Sequence, residues 1–266
     1  MKWRFLFFSC LIFSAGYSAA HAEPAKGVSS ELSCYILSGK KFCDFMLKFI
    51  GAIDATSVKD VASLLDYDAR TDLFLTGKTV RINSPGGNLD AAMAIGHLLR
   101  KNRMTIIIPK DGECVSACVM IYAGAVARAS FGRVGIHRPY LNQSISSQLQ
   151  APDKLRSNYE QMLQTLRAYL RDMNVSERLA EDMLKIAPAD VRYLTDDVQI
   201  DYGLSYVDPV EQETRDLQEA QFMGLDRNEH VRRQALATAK CGELMDLKVD
   251  FMVAVACRNT VMKTGR

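Results

Sequence analysis

Ile82-Asn83-Ser84-Pro85-Gly86-Gly87 closes an alternating run and opens a helix. Upstream of the turn, residues 78–83 put Val80 and Ile82 on one face, the period-2 signature of a half-buried strand. Ser-Pro-Gly-Gly is turn composition. Residues 88–100 then read as a helix, 104–109 as an apolar strand and 110–113 as a loop. Working outward, residues 57–65 carry Val58, Val61, Ala62, Leu64 and Leu65 at helical spacing, with Asp54 and Thr56 as cap candidates. Residues 31–50 suggest a strand that enters a turn at Gly51. Downstream lie a helix of small residues at 115–125 and a short strand at 134–137. Residues 152–185 are helical, with Leu155, Tyr159, Met162, Leu163, Leu166 and Leu170 in register and an interruption at Asn174. A short helix over 194–202, entered through Thr195, precedes a last strand at 203–207. Strands alternating with helices from residue 50 to 207 predict an α/β core with parallel strands. Past Pro209 the composition turns charged and helical, which reads as an appendage on that core.

The chain has 266 residues, 48% apolar and 24% charged, which excludes a disordered chain. Residues 1–22 read as a signal peptide: Lys2 and Arg4 start it, an apolar stretch runs from Phe5 to Phe13, and Ala20-His21-Ala22 suits cleavage. The expected organisation is thus 1–22 signal peptide, 23–208 core domain and 209–266 helical C-terminal extension. Without Lys2 and Arg4 the 33 basic residues become 31, equal to the 31 acidic ones. A chain without net charge is a poor nucleic-acid binder, since that affinity draws on phosphate neutralisation. No later segment is apolar enough to span a membrane, so an exported protein, in the periplasm, is expected.

Without Cys10 six cysteines remain, an even number in a chain read as exported: Cys34, Cys43, Cys114, Cys118, Cys241 and Cys257. They form three sequence-local couples, which makes 34–43 and 241–257 the economical disulfides. Cys114 and Cys118 would be poorly placed for a bridge inside a regular helix. No CxxC or zinc-finger spacing occurs, so no metal site is expected.

Gly77-Lys78-Thr79 resembles the end of a phosphate-binding loop, but Asp72 stands where that loop needs glycine, and Leu73, Phe74 and Leu75 are bulky, so it reads as a polar turn leading into a strand. A general base would have to be His97, His137 or His230. His97 sits on an apolar helix stripe, and His230, among Asn228, Glu229, Arg232 and Arg233, is expected to face solvent. His137 ends a strand before Arg138-Pro139, a junction where reactive groups are displayed. Ser116, in Gly112-Glu113-Cys114-Val115-Ser116-Ala117-Cys118, stands at the first turn of a small-residue helix. There unpaired N–H groups and the helix dipole favour a developing oxyanion, though a capping serine would look the same.

Taken together, the Asn-Ser-Pro-Gly-Gly string, Ser116 opening its helix, Gly135-Ile136-His137-Arg138-Pro139 and Tyr202-Gly203-Leu204 resemble the Clp protease proteolytic subunit family, over roughly residues 48–208. The export signal and flanking cysteines are most similar to a predicted periplasmic branch. The resemblance implies a ClpP/crotonase-like spiral of ββα units. It further implies a serine endopeptidase that needs no cofactor, acts on peptide or protein substrate independently of ATP, and can form a homo-oligomer. Ser116 would be the nucleophile, His137 the base, and the N–H groups of Gly87 and Ala117 the oxyanion hole. The family's pattern puts Val191 at the position of the catalytic acid; Asp190, one residue early, is the candidate, and Asp196 the next. Other classes stay open: an acyl-CoA hydratase or isomerase on the same spiral, a serine–lysine peptidase using Lys101 or Lys110, and a catalytically degenerate binding scaffold.

Overall fold

The computed structural model describes residues 27–37, 40–66, 74–139, 152–246 and 251–266. The segment read as a signal peptide lies outside them. The alternating runs pair into two sheets. The first has the order β1-β2-β3-β4-β6-β9, from β1 (Gly27–Leu37), β2 (Lys40–Ile50), β3 (Phe74–Asn83), β4 (Thr105–Ile108), β6 (Ala127–Ser130) and β9 (Tyr206–Val207). Its centre, β2-β3-β4-β6, is parallel as expected, and both edge strands are antiparallel. The second sheet joins β5 (Glu113–Val115), β7 (Arg133–Ile136) and β8 (Arg192–Tyr193). Arg133 staples it, donating to Glu113 at 2.8 Å while its guanidinium stacks 4.5 Å from the Tyr193 ring centre.

Helices α1 (Ala55–Asp66), α2 (Leu89–Lys101) and α3 (Cys118–Gly124) follow β2, β3 and β5. Phe45, Leu47 and Phe49 of β2, Val80 and Ile82 of β3 and Ile106 and Ile108 of β4 pack with Ala92, Ile95 and Leu99 of α2 in one buried core. All seven residues of α3 are buried, which explains why its sequence is small and apolar throughout. Next come α4 (Pro152–Asp172), α5 (Arg178–Leu184) and α6 (Asp196–Tyr202). Arg128 on β6 is buried and donates to the carbonyls of Tyr122, Ala123, Met173 and Gly203. One guanidinium thereby satisfies orphan carbonyls at the ends of α3, α4 and α6, the use to which five fixed donors are suited. Burial, and then Arg100, bring its pKa down to about 10.

Beyond β9 lie α7 (Pro209–Phe222), α8 (Arg227–Asp246) and α9 (Phe251–Thr264). They are held to the core by Asp208, whose side chain is inaccessible. It caps α7 at Val210 N–H (2.9 Å), pairs with Arg100 (3.1 Å) and accepts from Asn174 (2.9 Å). Arg103 adds two bonds to Glu211, at 2.9 and 3.1 Å.

Four readings of the sequence are corrected. Residues 27–50 form a two-strand hairpin, and the predicted helix at 115 begins only at Cys118, behind β5. Gly77-Lys78-Thr79 lies inside the extended β3 and is not a turn leading into it. His230 is fully buried, with no hydrogen bond to either ring nitrogen among the described residues and Glu219 3.5 Å from Nε2. Its sequence neighbours Asn228 and Arg232 are exposed, while α7 approaches the ring through Glu219.

The structure joins Cys34 to Cys43 across the β1–β2 ladder, Cys114 to Cys118, and Cys241 of α8 to Cys257 of α9. Peptide mapping of non-reduced protein should recover all three as local bridges. Burial opposes ionisation of Asp208, but the hydrogen bonds from Asn174 and Arg100 outweigh it and hold the carboxyl below its usual range. Asp208→Ala should cost about 3 kcal/mol in urea unfolding at neutral pH, from the lost cap and the uncompensated Arg100. Because the folded value is the lower one, this contribution is full above the unfolded carboxyl value of ~3.9 and fades as pH falls through the folded one. The gap between wild type and variant should therefore close in acid.

Candidate functional site

The site is built on a piece of extended chain squeezed between two others. Ser84 N–H donates to Glu113 O at 2.8 Å and Ser84 O accepts from Val115 N–H at 3.0 Å, so the segment pairs with β5 on one side. On the other, Ile53 N–H donates to Gly86 O at 2.9 Å and Asn88 N–H to Ile53 O at 2.8 Å. Gly86 and Gly87 have φ of 99° and 146°, conformations that L side chains rarely adopt. A Cβ at Gly86 would stand 2.6 Å from Val115 O and 2.8 Å from the Ser116 Cβ. A Cβ at Gly87 would stand 2.2 Å from Ile53 O. In a parallel bridge the bonds to Ile53 come from the residues flanking Gly87, so the N–H of Gly87 itself points the other way. It has no acceptor among the described residues.

Ser116 sits on the sharp bend between β5 and α3 with φ of 59°. For a residue with a Cβ this left-handed conformation costs on the order of 1–2 kcal/mol. It is held by Ser116 N–H donating to Gly135 O at 2.9 Å, and by the Cys114–Cys118 bridge, which spans the serine. The bend is why the bridge forms: the two cysteines lie on a strand and at a helix start, with Cα atoms 5.2 Å apart, not on successive turns of one helix. The N–H of Ala117, the next residue, also has no acceptor among the described residues.

Parallel pairing of Val115 with Gly135 brings the ends of β5 and β7 together, so Ser116 and His137 follow adjacent strands at the same end of the sheet. His137 is 8% exposed, and its Nδ1 lies 3.0 Å from the main-chain oxygen of Arg138. Asp190 is elsewhere in character. It stands exposed in a turn closed by its own N–H to Ala187 O at 3.0 Å, and its carboxylate makes no hydrogen bond or ion pair among the described residues. Val191 is the residue packed on β7: a Cβ at Gly135 would meet its Cγ1 at 2.7 Å. Asp196 opens α6. Lys101 and Lys110 are exposed and neither lines the cleft beside Ser116. His97 of α2 stacks edge-on to Tyr169 of α4.

That cleft has a volume of about 680 Å³ and is lined by Ile53, Asp54, Gly87, Ser116 and Ala117 on the sheet side. Asn158, Gln161, Met162 and Thr165 of α4 face them. The sequence hides these α4 residues because Met162 also falls on the apolar stripe of the helix. Their i, i+3, i+4, i+7 spacing was the available signal. Asp54 caps α1, accepting from Ser57 N–H at 2.9 Å, a bond that holds its carboxyl below the usual range. Asn88 caps α2 and Asp90 lies in that helix's first turn, whereas α3 has no acid in its first turn. Of the three helix starts at the cleft, the one beside Ser116 keeps its positive end uncompensated, which favours an anion there. Among the described residues no group of three His, Cys, Asp or Glu could hold a metal ion.

Residues 50–206 match the protein family described as Clp protease. Among solved structures the chain is similar to a ClpP1 mutant from Listeria monocytogenes, with 20% identity and a TM-score of 0.45 over 60% of this chain and 88% of that one. It is also similar to a mutant of the 1510-N membrane-bound stomatin-specific protease, with 19% identity and a TM-score of 0.42 over 64% of this chain and 82% of that one. Comparison with curated proteins gives no match.

The tight segment makes a direct prediction. Gly87→Ala should destabilise the protein by about 2–3 kcal/mol in urea unfolding, from forbidden backbone geometry and displacement of Ile53. Gly242→Ala, in α8 with no atom within 4 Å of the added Cβ, should instead stabilise by roughly 0.5–1 kcal/mol.

Proposed function

The chain belongs to the Clp protease family, and on that footing we propose that it is a serine peptidase in which Ser116 attacks a peptide carbonyl and His137 serves as base. The observation that carries this reading is Ser116 itself: a non-glycine residue held at φ of 59° in an open cleft, beside two main-chain N–H groups without acceptors among the described residues. Strain of this kind persists where the surroundings impose it, and it clusters at reactive sites.

In the proposed reaction the Ser116 Oγ–C bond forms as its proton passes to Nε2 of His137. The carbonyl oxygen becomes an oxyanion that accepts from the N–H groups of Gly87 and Ala117. Collapse breaks the C–N bond, and His137 returns the proton to the leaving amine. Water, deprotonated by the same imidazole, then attacks the acyl-serine and regenerates Ser116. Binding in the cleft would set a peptide between the Gly87 segment and α4, with no cofactor or ATP needed for the chemistry.

We further propose that residues 1–22 are an export signal, that 23–208 form the peptidase domain and 209–266 a helical extension, and that the mature protein works in the periplasm. Three cysteine pairs, and no described helix long and apolar enough to cross a membrane, are compatible with this. A homo-oligomer is part of what the family resemblance implies. A second reading, a binding protein without turnover, draws support from the exposed Asp190 and from Val191 packed on β7.

A fluorescent phosphonate that labels activated serines separates the two. Wild type should be labelled at Ser116, Ser116→Ala and His137→Ala should lose labelling by at least a hundredfold, and His97→Ala should keep it within twofold. An unlabelled wild type would favour the binding protein. Loss on His97→Ala with retention on His137→Ala would overturn the choice of base.

A further inference from the structure

The main-chain oxygen that faces Nδ1 of His137 is unusually well fixed. Arg138 N–H donates to Ile186 O at 3.0 Å, and Arg138 Nε donates to Leu184 O at 2.7 Å. Leu184 is the last residue of α5, so the guanidinium satisfies an orphan carbonyl at a helix C-terminus, where a cation is also favoured by the dipole. The following residue, Pro139, restricts Arg138 to extended backbone, and its own carbonyl accepts from Tyr159 of α4 at 3.3 Å. The peptide after His137 is thus clamped to two helices.

We propose that Arg138 is the positioning residue for the base. Its carbonyl takes the Nδ1–H of His137, its side chain ties that carbonyl to α5, and Asp190 has no part in orienting the ring. The inference rests on the reading of His137 as the base. A carbonyl does the geometric half of an acid's work: it selects the tautomer in which Nε2 is unprotonated and can act as the base. It carries no charge, so it stabilises the imidazolium less than a carboxylate would, and the resulting enzyme is slower. An unoriented imidazole, by contrast, divides its time between tautomers. Val191 packed over Gly135 is consistent with this arrangement, because an apolar side chain there needs no partner.

The test is ¹⁵N NMR of the full chain labelled at histidine, above the imidazole titration, with the His137 signals assigned by His137→Gln. Wild type should show His137 as the Nδ1–H tautomer. Asp190→Asn should leave that spectrum, and kcat on a reporter peptide, unchanged within twofold. Arg138→Met should shift His137 toward the Nε2–H form and lower kcat about tenfold with KM unchanged within twofold. Arg138→Lys, which keeps a cation near the α5 terminus without the Nε donor, should fall between. A wild-type Nε2–H tautomer, or a tautomer shift on Asp190→Asn, overturns the inference. If Arg138→Met does not fold, the wild-type and Asp190→Asn spectra decide the matter alone. A silent protein that nevertheless shows the expected tautomer and its dependence on Arg138 would fail the peptidase reading while leaving the positioning of His137 intact.

Discussion

Backbone lying directly on backbone at Gly86 and Gly87 is the constraint on which the site depends. The segment that starts at Ser84 continues β3, yet it pairs with Cys114 of the other sheet, so it is the stitch between the two. Its width is that of bare main chain. On one side it lies against Val115, Ser116 and Ala117, on the other against Ile53. The placing of Ser116, the Gly87 and Ala117 N–H groups and the cap of α1 therefore depends on where side-chain atoms are missing. Hydrogen bonds then lock the arrangement, but they could not create it.

Much of the fold was legible. The alternation at Val80 and Ile82, the Ser-Pro-Gly-Gly turn and the helical stripes of α1, α2 and α4 follow from periodicities of 2 and 3.6 residues that burial on one face demands. Parallel order in the central sheet follows from strands separated by helices. What was not legible depends on contacts distant in sequence. Three residues at Glu113–Val115 become a strand only because Ser84 and β7 supply partners, so from sequence Glu113 reads as the end of a loop and Val115 as the start of the helix. His230 looked exposed because its sequence neighbours are charged, whereas α7 and α9 decide what covers it.

The candidate site was legible in part for similar reasons. Ser116 and His137 stand out in the sequence as candidates, a hydroxyl and an imidazole at element ends, helped by resemblance. The positive φ of Ser116 could not, since no local residue requires it. The position of the acid was the point of conflict, and it stayed so. A spacing offset by one residue in extended chain turns a side chain to the opposite face, and Val191, not Asp190, is the one that meets β7. Arg138 was visible only as a neighbour of His137; its reach to Leu184, 46 positions away, belongs to the tertiary structure.

The bridge between Cys114 and Cys118 has a consequence for how the molecule is made. Both cysteines are completely inaccessible once the chain is folded, one in a sheet and the other at the root of a helix with no exposed residue. An oxidant cannot approach sulfur through that packing, because interiors of this density leave no path for a thiol or its catalyst. Closure of the small ring around Ser116 therefore belongs to the still open chain, before α3 settles against α2. Biogenesis acquires an order, with oxidation ahead of consolidation, and the geometry of the serine is inherited from the maturation step that preceded it.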